Sequence, residues 1–180
     1  TKHLVTNYFI GFAQLAERYV TIGDSANALR AAQGAIDKTP SDLSKRTLLY
    51  QVLSNGKMHE KVKEYIAKEM QTPEWAMSSL AERLSLYALL DRSGDREKAY
   101  SLVQEEQDKS IKDTSRTEVW EQYIVNLYSL GELPATLAAM DRALEINPND
   151  QTLKESRDAV LHQFSAGAGS DSSSRGATPE

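Results

Sequence analysis

Three histidines, His3, His59 and His162, lie far apart in a chain that has no cysteine. His59-Glu60 begins like a zinc-protease helix. That geometry needs a second imidazole four residues on, and Lys63 stands there. Ser54-x-x-Lys57 has the letters of a serine–lysine nucleophile, but it straddles Asn55-Gly56, where serine and lysine are ordinary turn residues. Glu105, Glu106 and Asp108 are close in sequence and read as a hydrated helix face. Gly167-Ala168-Gly169 lacks the lysine and the following helix of a phosphate loop. Nowhere do a nucleophile, a base and an orienting group come together. The expectation is a chain with no catalytic residue, no metal ligand and no cofactor, and so not an enzyme.

Composition narrows the class further. The 180 residues carry a net charge of −5, 40% hydrophobic and 26% charged residues, the profile of one ordinary globular domain. A duplex-binding protein shows a basic stripe. Here Lys57, Lys61 and Lys63 are interleaved with Glu60 and Glu64, so nucleic acid is not an expected partner. Without cysteine, disulfides, thiolate catalysis and zinc–sulfur sites are excluded. No apolar run reaches the roughly 18 residues of a spanning helix, so direct membrane insertion is not expected. The start at Thr1 without a methionine leads to the expectation of a fragment or processed product, and the compartment stays open.

The elements are helices, and they recur. Phe12, Leu15, Ala16 and Tyr19 share one side of a first helix, expected from Asn7 to Ile22. Gly23 stops it, Ala28 and Ala35 line a second helix, and Thr39-Pro40 closes the pair. Trp120, Tyr123, Ile124 and Leu127, then Gly131, Met140, Ala143 and Pro148, repeat the pattern. Between them lie a pair with Leu43, Leu48, Leu49 and Val52 before Asn55-Gly56, and a pair with Leu80, Leu84, Tyr87 and Leu90 before Gly94. Thr72-Pro73-Glu74 is a helix start, and an extra helical turn is expected before Leu80. Ser115-Arg116-Thr117-Glu118 fits a capping box. A ninth helix, about 150–164, carries Leu153, Val160, Leu161 and Phe164 inward and caps the last pair. Residues 165–180, rich in Ser, Gly and Ala, are expected to be disordered. The fold expected is all-α, with four helix pairs at about 9–42, 42–75, 80–113 and 117–150. From Gly23 to Gly56 is 33 residues, from Gly56 to Gly94 is 38, and from Gly94 to Gly131 is 37. A pair of this kind cannot bury its apolar face alone and must stack on copies of itself.

On these residues the chain resembles the tetratricopeptide repeat (TPR) family, whose helix–turn–helix unit has a period of about 34 residues. The small positions of the second helix match Ala28 and Ala35 in repeat one, and Thr136 and Ala143 in repeat four. In the middle repeats they fall on Lys61 and Lys68, then Ala99 and Glu106. The resemblance implies a right-handed α-solenoid whose concave face binds a protein or peptide. Asn7-Tyr8-Phe9 running into Gly11-Phe12-Ala13-Gln14-Leu15-Ala16 is also similar to the soluble C-terminal TPR region of bacterial multi-spanning, glycosyltransferase-like membrane proteins. That likeness implies an alternative, an accessory domain of a membrane-bound enzyme whose catalytic part lies elsewhere.

In a TPR stack the first helix of each pair lines the groove. The residues expected there are Ile10, Ala13, Glu17, Leu43, Arg46, Tyr50, Leu84, Ala88, Glu121, Val125 and Tyr128. Their mixture of apolar and acidic groups suits an amphipathic or basic peptide. Ala13, Glu17, Thr47, Ala81 and Ser85 occupy the places where chaperone-binding relatives clamp a C-terminal carboxylate. None offers a cationic donor. Self-association through an open repeat face is a third expectation.

Overall fold

A computed structural model describes residues 2–38, 42–110 and 117–170. Among them are ten α-helices and no strand. Packing divides the chain into two units, Thr1–Val103 and Gln104–Glu180. The first holds α1 (Lys2–Thr21), α2 (Ser25–Lys38), α3 (Leu43–Asn55), α4 (His59–Glu69), α5 (Pro73–Met77) and α6 (Leu80–Arg92). The boundary falls within α7 (Arg96–Ser110). The second unit holds α8 (Glu118–Ser129), α9 (Leu133–Ile146) and α10 (Gln151–Ser170).

Four of the interhelix turns are built alike. Each has one residue in the left-handed region: Gly23 (φ 76°), Lys57 (φ 59°), Gly94 (φ 92°) and Gly131 (φ 76°). In each, the amide of that residue donates to the carbonyl three residues back, and the next amide donates to the carbonyl five back. Gly23 reaches Val20 and Asp24 reaches Tyr19; Lys57 reaches Ser54 and Met58 reaches Leu53. Gly94 and Asp95 do the same with Asp91 and Leu90, and Gly131 and Glu132 with Tyr128 and Leu127. This is the Schellman closure, which satisfies carbonyls that a helix end otherwise leaves orphaned. The following helix starts two residues after the left-handed one every time. The fifth residue after it, Ala28, Val62, Ala99 or Thr136, is fully buried in all four cases.

The second turn corrects the sequence reading. Gly56 has φ −78°, and the left-handed residue is Lys57. A Cβ on Gly56 would lie 2.9 Å from Val20 Cγ2 and 2.7 Å from Met58 Cε. Glycine is needed there for space, while its neighbour takes the strained conformation. Counted from the left-handed residue, the buried places after this turn fall on Val62 and Glu69, not on Lys61 and Lys68.

In the first unit α1 packs on α2 and α3, α2 on α3, α3 on α4 and α6, and α4 on α6. Phe12 of α1 lies close over Gly34 of α2, where a Cβ would meet its ring at 2.9 Å. The inserted turn expected before Leu80 is α5, with the Thr72 hydroxyl accepting from the Trp75 amide at 3.3 Å and Pro73 in its first turn. It brings Trp75 against Tyr87, ring centroids 6.0 Å apart, and makes ten helices of the nine expected. Ser79 and Glu82 form a reciprocal capping box at the start of α6. In the second unit α9 packs on α8 and α10. Trp120 and Tyr123 are fully buried and meet edge to face at 6.0 Å, a favoured aromatic geometry.

Other boundaries move as well. Nothing in residues 2–6 breaks a helix, so α1 begins at Lys2 rather than Asn7. The last helix runs to Ser170, six residues past the expected 164. Part of the expected disordered tail, 165–170, is therefore helical, and it holds no proline that would end the helix. Residues 171–180, the closure at Thr39-Pro40 and Ser115-Arg116 of the expected capping box lie outside the described residues. The Thr117 side chain makes no capping bond; the amide of Val119 donates instead to Oε1 of Gln107 at 3.1 Å. Leu48, Leu161 and Phe164, expected inward, are 57%, 41% and 41% exposed.

The turn geometry sets opposite signs for two substitutions. Lys57→Gly removes left-handed strain and raises the unfolding free energy by about 0.5–1 kcal/mol. Gly131→Ala, with nothing within 4 Å of the added Cβ, lowers it by about 1–2 kcal/mol through conformation alone. Equilibrium urea denaturation of the full chain measures both.

Candidate functional site

The middle helices carry charge where the outer ones carry hydrocarbon. Arg46 sits eleven residues before the left-handed turn residue, Tyr50 seven before, and Glu69 twelve after. All three are buried, at 2%, 1% and 6% exposure. The guanidinium grips the Glu69 carboxylate with two bonds, Nε to Oε1 at 2.6 Å and Nη2 to Oε2 at 2.7 Å. The Tyr50 hydroxyl donates to the same carboxylate, and its ring stacks on Tyr65 at 5.4 Å. Burial disfavours the charge on Arg46, but the bonds to Glu69 outweigh it and hold the group above its ordinary value. Burial, then the bond to Glu69, pushes the Tyr50 hydroxyl far above its usual range.

Arg83, Tyr87 and Glu106 stand at the same three places relative to Gly94. Tyr87 and Glu106 are buried. Repeat one has Phe12, Ala16 and Ala35 at these places, and repeat four has Trp120, Ile124 and Ala143. Glu69 fills a position where alanine lets helices approach, and it joins α4 to α3 through the ion pair instead.

The described residues line at least two open clefts. One, about 220 Å³, lies between α3 and α6 and is lined by Ser44, Thr47, Ala81, Glu82 and Ser85. Its hydroxyl protons are already committed. Thr47 donates to the Leu43 carbonyl at 2.9 Å, Ser85 to the Ala81 carbonyl at 2.9 Å and Ser44 to Oε1 of Glu82 at 2.7 Å. The bond from Ser44, followed by those from Ser79, lowers the pKa of Glu82. The cleft therefore presents lone pairs and a carboxylate, and no cationic donor.

The second cleft, about 390 Å³, lies among α8, α9 and α10. Ile124, Met140 and Leu153 form its buried floor, and Glu121, Val125 and Asp150 stand around it. Glu121 accepts from the Thr117 hydroxyl at 2.9 Å. Asp150 Oδ1 accepts from the Leu153 amide at 2.9 Å and so caps α10.

The residues expected to line one groove separate. Glu121 and Val125 border the second cleft. Tyr128, 46% exposed, donates to Oε1 of Gln163 on α10 at 3.0 Å. On α1, Ile10 and Glu17 are exposed and Ala13 half-buried. Leu43, Arg46, Tyr50, Leu84 and Ala88 are buried and offer no open surface. The physical reason is that α3 and α6 are flanked on several sides. In α6, Leu84, Leu86, Tyr87, Ala88, Leu89 and Leu90 are all buried, an apolar surface running right round the helix. That all-round pattern was the readable sign of a covered helix. Asp150, Glu82 and Ser44 were missed as lining residues. Asp150 is an N-cap followed three residues later by an apolar one, the signal that would have placed it.

The lysines near the second turn are engaged with acids. Lys61 pairs with Glu64 at 2.5 Å, Lys68 with Glu64 at 2.7 Å, and Lys63 with Glu60 at 2.6 Å. These two lysines, Lys61 first, hold Glu64 down at about 2. Among the described residues no group of three or more His, Asp or Glu is placed to hold a metal ion, and no helix is long and apolar enough to cross a membrane. No family model, curated protein or solved structure matches the chain.

Removing one member of the buried pair strands the other charge. Arg46→Ala lowers stability by about 3–5 kcal/mol, whereas Arg46→Met, Tyr50→Phe and Glu69→Leu together recover most of that loss. Urea denaturation followed by circular dichroism reads the difference. Tyr50 also gives an alkaline signature. Its folded pKa is raised, so its contribution is complete below the ordinary value of 10.0 and is lost as pH rises beyond it. Above pH 10 the wild type loses stability faster than Tyr50→Phe.

Proposed function

We propose that this chain is a non-catalytic scaffold of TPR type that holds a peptide or protein segment against the first helices of its pairs. The observation that carries the reading is the fourfold turn. Left-handed residues at 23, 57, 94 and 131 give steps of 34, 37 and 37, each closed by the same two hydrogen bonds. A buried residue follows each turn at the same offset. In the first unit the helices pack as a repeat array requires: first helix on the next first helix, second helix on the next first helix. A right-handed solenoid with a concave binding face is the architecture these features favour.

The expected groove positions that are left exposed are apolar or acidic. They are Ile10 and Glu17 on α1 and, in the second unit, Glu121, Val125 and Tyr128 on α8. Each cleft is lined by at least one carboxylate and by no lysine or arginine. Such a surface selects segments that bring donors, and it repels an acidic tail.

A random peptide library displayed on phage and panned against the immobilised full chain tests the reading. The expected result is an enriched set whose synthetic members bind with micromolar dissociation constants and lose at least about threefold in affinity to Val125→Arg and to Tyr128→Ala, the scale of a single rim contact. No enrichment, or binding indifferent to both substitutions, overturns it. A peptide ending in an acidic C-terminal carboxylate produces no heat in a calorimetric titration.

A further inference from the structure

We infer that the cleft among α8, α9 and α10 receives the side chain of an arginine or lysine from the bound segment. The inference rests on the scaffold reading and names what that scaffold selects. Three features of the cleft point to this occupant. Its floor of Ile124, Met140 and Leu153 is hydrocarbon, buried yet facing an opening of about 390 Å³. Two carboxylates, Glu121 and Asp150, stand beside that floor, and no basic residue lines the cleft. Neither carboxylate is ion-paired among the described residues. Glu121 takes one hydroxyl bond and Asp150 one amide bond, which fix the side chains and leave acceptor capacity on both.

An aliphatic stem ending in a cation matches this combination. The methylenes cover the floor and the charged end reaches the carboxylates, as long basic side chains do elsewhere at apolar surfaces. A purely apolar side chain would leave two carboxylates to lose water without compensation. An acidic one would be repelled. The guanidinium has five donors and suits two separate carboxylates best, so arginine is preferred over lysine.

The isosteric substitutions Glu121→Gln and Asp150→Asn remove the charges and keep the internal bonds. Glutamine still accepts from Thr117, and asparagine caps a helix as well as aspartate. The double variant E121Q/D150N therefore folds, which circular dichroism checks. The probes are acetyl-Ala-Leu-Arg-Leu-Ala-amide and the same peptide with citrulline, which has the shape of arginine without its charge. Each is titrated into the ¹⁵N-labelled full chain and followed by amide chemical shifts.

With the arginine peptide, the amides of Val125, Leu153 and Ser156 shift. The citrulline peptide binds about tenfold more weakly, the scale of one charge-assisted contact. In E121Q/D150N the two peptides bind within about twofold of one another. The proposal is overturned if citrulline and arginine peptides bind the wild type alike, if the variant keeps the preference, if the shifts fall elsewhere, or if neither peptide binds. The phage selection separates this failure from that of the scaffold reading. Enriched peptides without basic residues, bound equally by the variant, discard the cleft assignment and leave the scaffold. An empty selection discards the scaffold and the assignment with it.

Discussion

A helix hairpin presents more apolar surface than its own two helices can cover. Everything described here follows from how this chain meets that constraint. The turn must end one helix, satisfy its last carbonyls and launch the next at a fixed angle, or the uncovered faces will not meet. Four times the chain solves this with a single left-handed residue and two return hydrogen bonds. The regularity lies in the backbone, and only three of the four turns spend a glycine on that conformation. At the second turn Val20 presses on Gly56, so the demand for space and the demand for a left-handed conformation fall on different residues. Lys57 bears the second.

That displacement explains what the sequence showed and what it hid. The helices, the terminal helix and the inserted turn before Leu80 were legible, because apolar periodicity and helix-stop residues are local signals. The register of repeat two was not. Aligning on Gly56 put Lys61 and Lys68 at buried positions and made the repeat look degenerate. With Lys57 as the reference, Val62 and Glu69 take those places, and the second matches Glu106 of the following repeat. The shift accounts for the burial at these places, but it does not restore alanine there, and Glu69 is accommodated by the ion pair with Arg46. The extent of α10 was hidden for another reason, since Ser-Gly-Ala composition suggested disorder while nothing in 165–170 forbids a helix.

Among the residues expected to line a groove, exposure was legible on α1 and α8 and not on α3 and α6. Ile10 and Glu17 on α1, and Glu121 and Val125 on α8, were read as open and are exposed. Leu43, Arg46, Tyr50, Leu84 and Ala88 were read the same way and are buried. Helical periodicity tells which residues share a face, but not how many neighbours that helix has. For α3 and α6 the number of neighbours decides. Their interior also explains why a buried ion pair is tolerated. Arg46 and Glu69 meet with two bonds and a third from Tyr50, so the desolvation of both charges is matched by geometry rather than left open.

This partition of charge bears on function. In the first unit Arg46, the basic group on the face expected to line the groove, is consumed within the core by Glu69. Lys61, Lys63 and Lys68 are held by surface acids. The first cleft presents hydroxyls whose protons are spoken for and the Glu82 carboxylate, and the second sets the carboxylates of Glu121 and Asp150 beside a hydrocarbon floor. The same packing that buries α3 and α6 therefore takes Arg46 out of reach of solvent and leaves Glu82, Glu121 and Asp150 as the charged groups lining the two clefts.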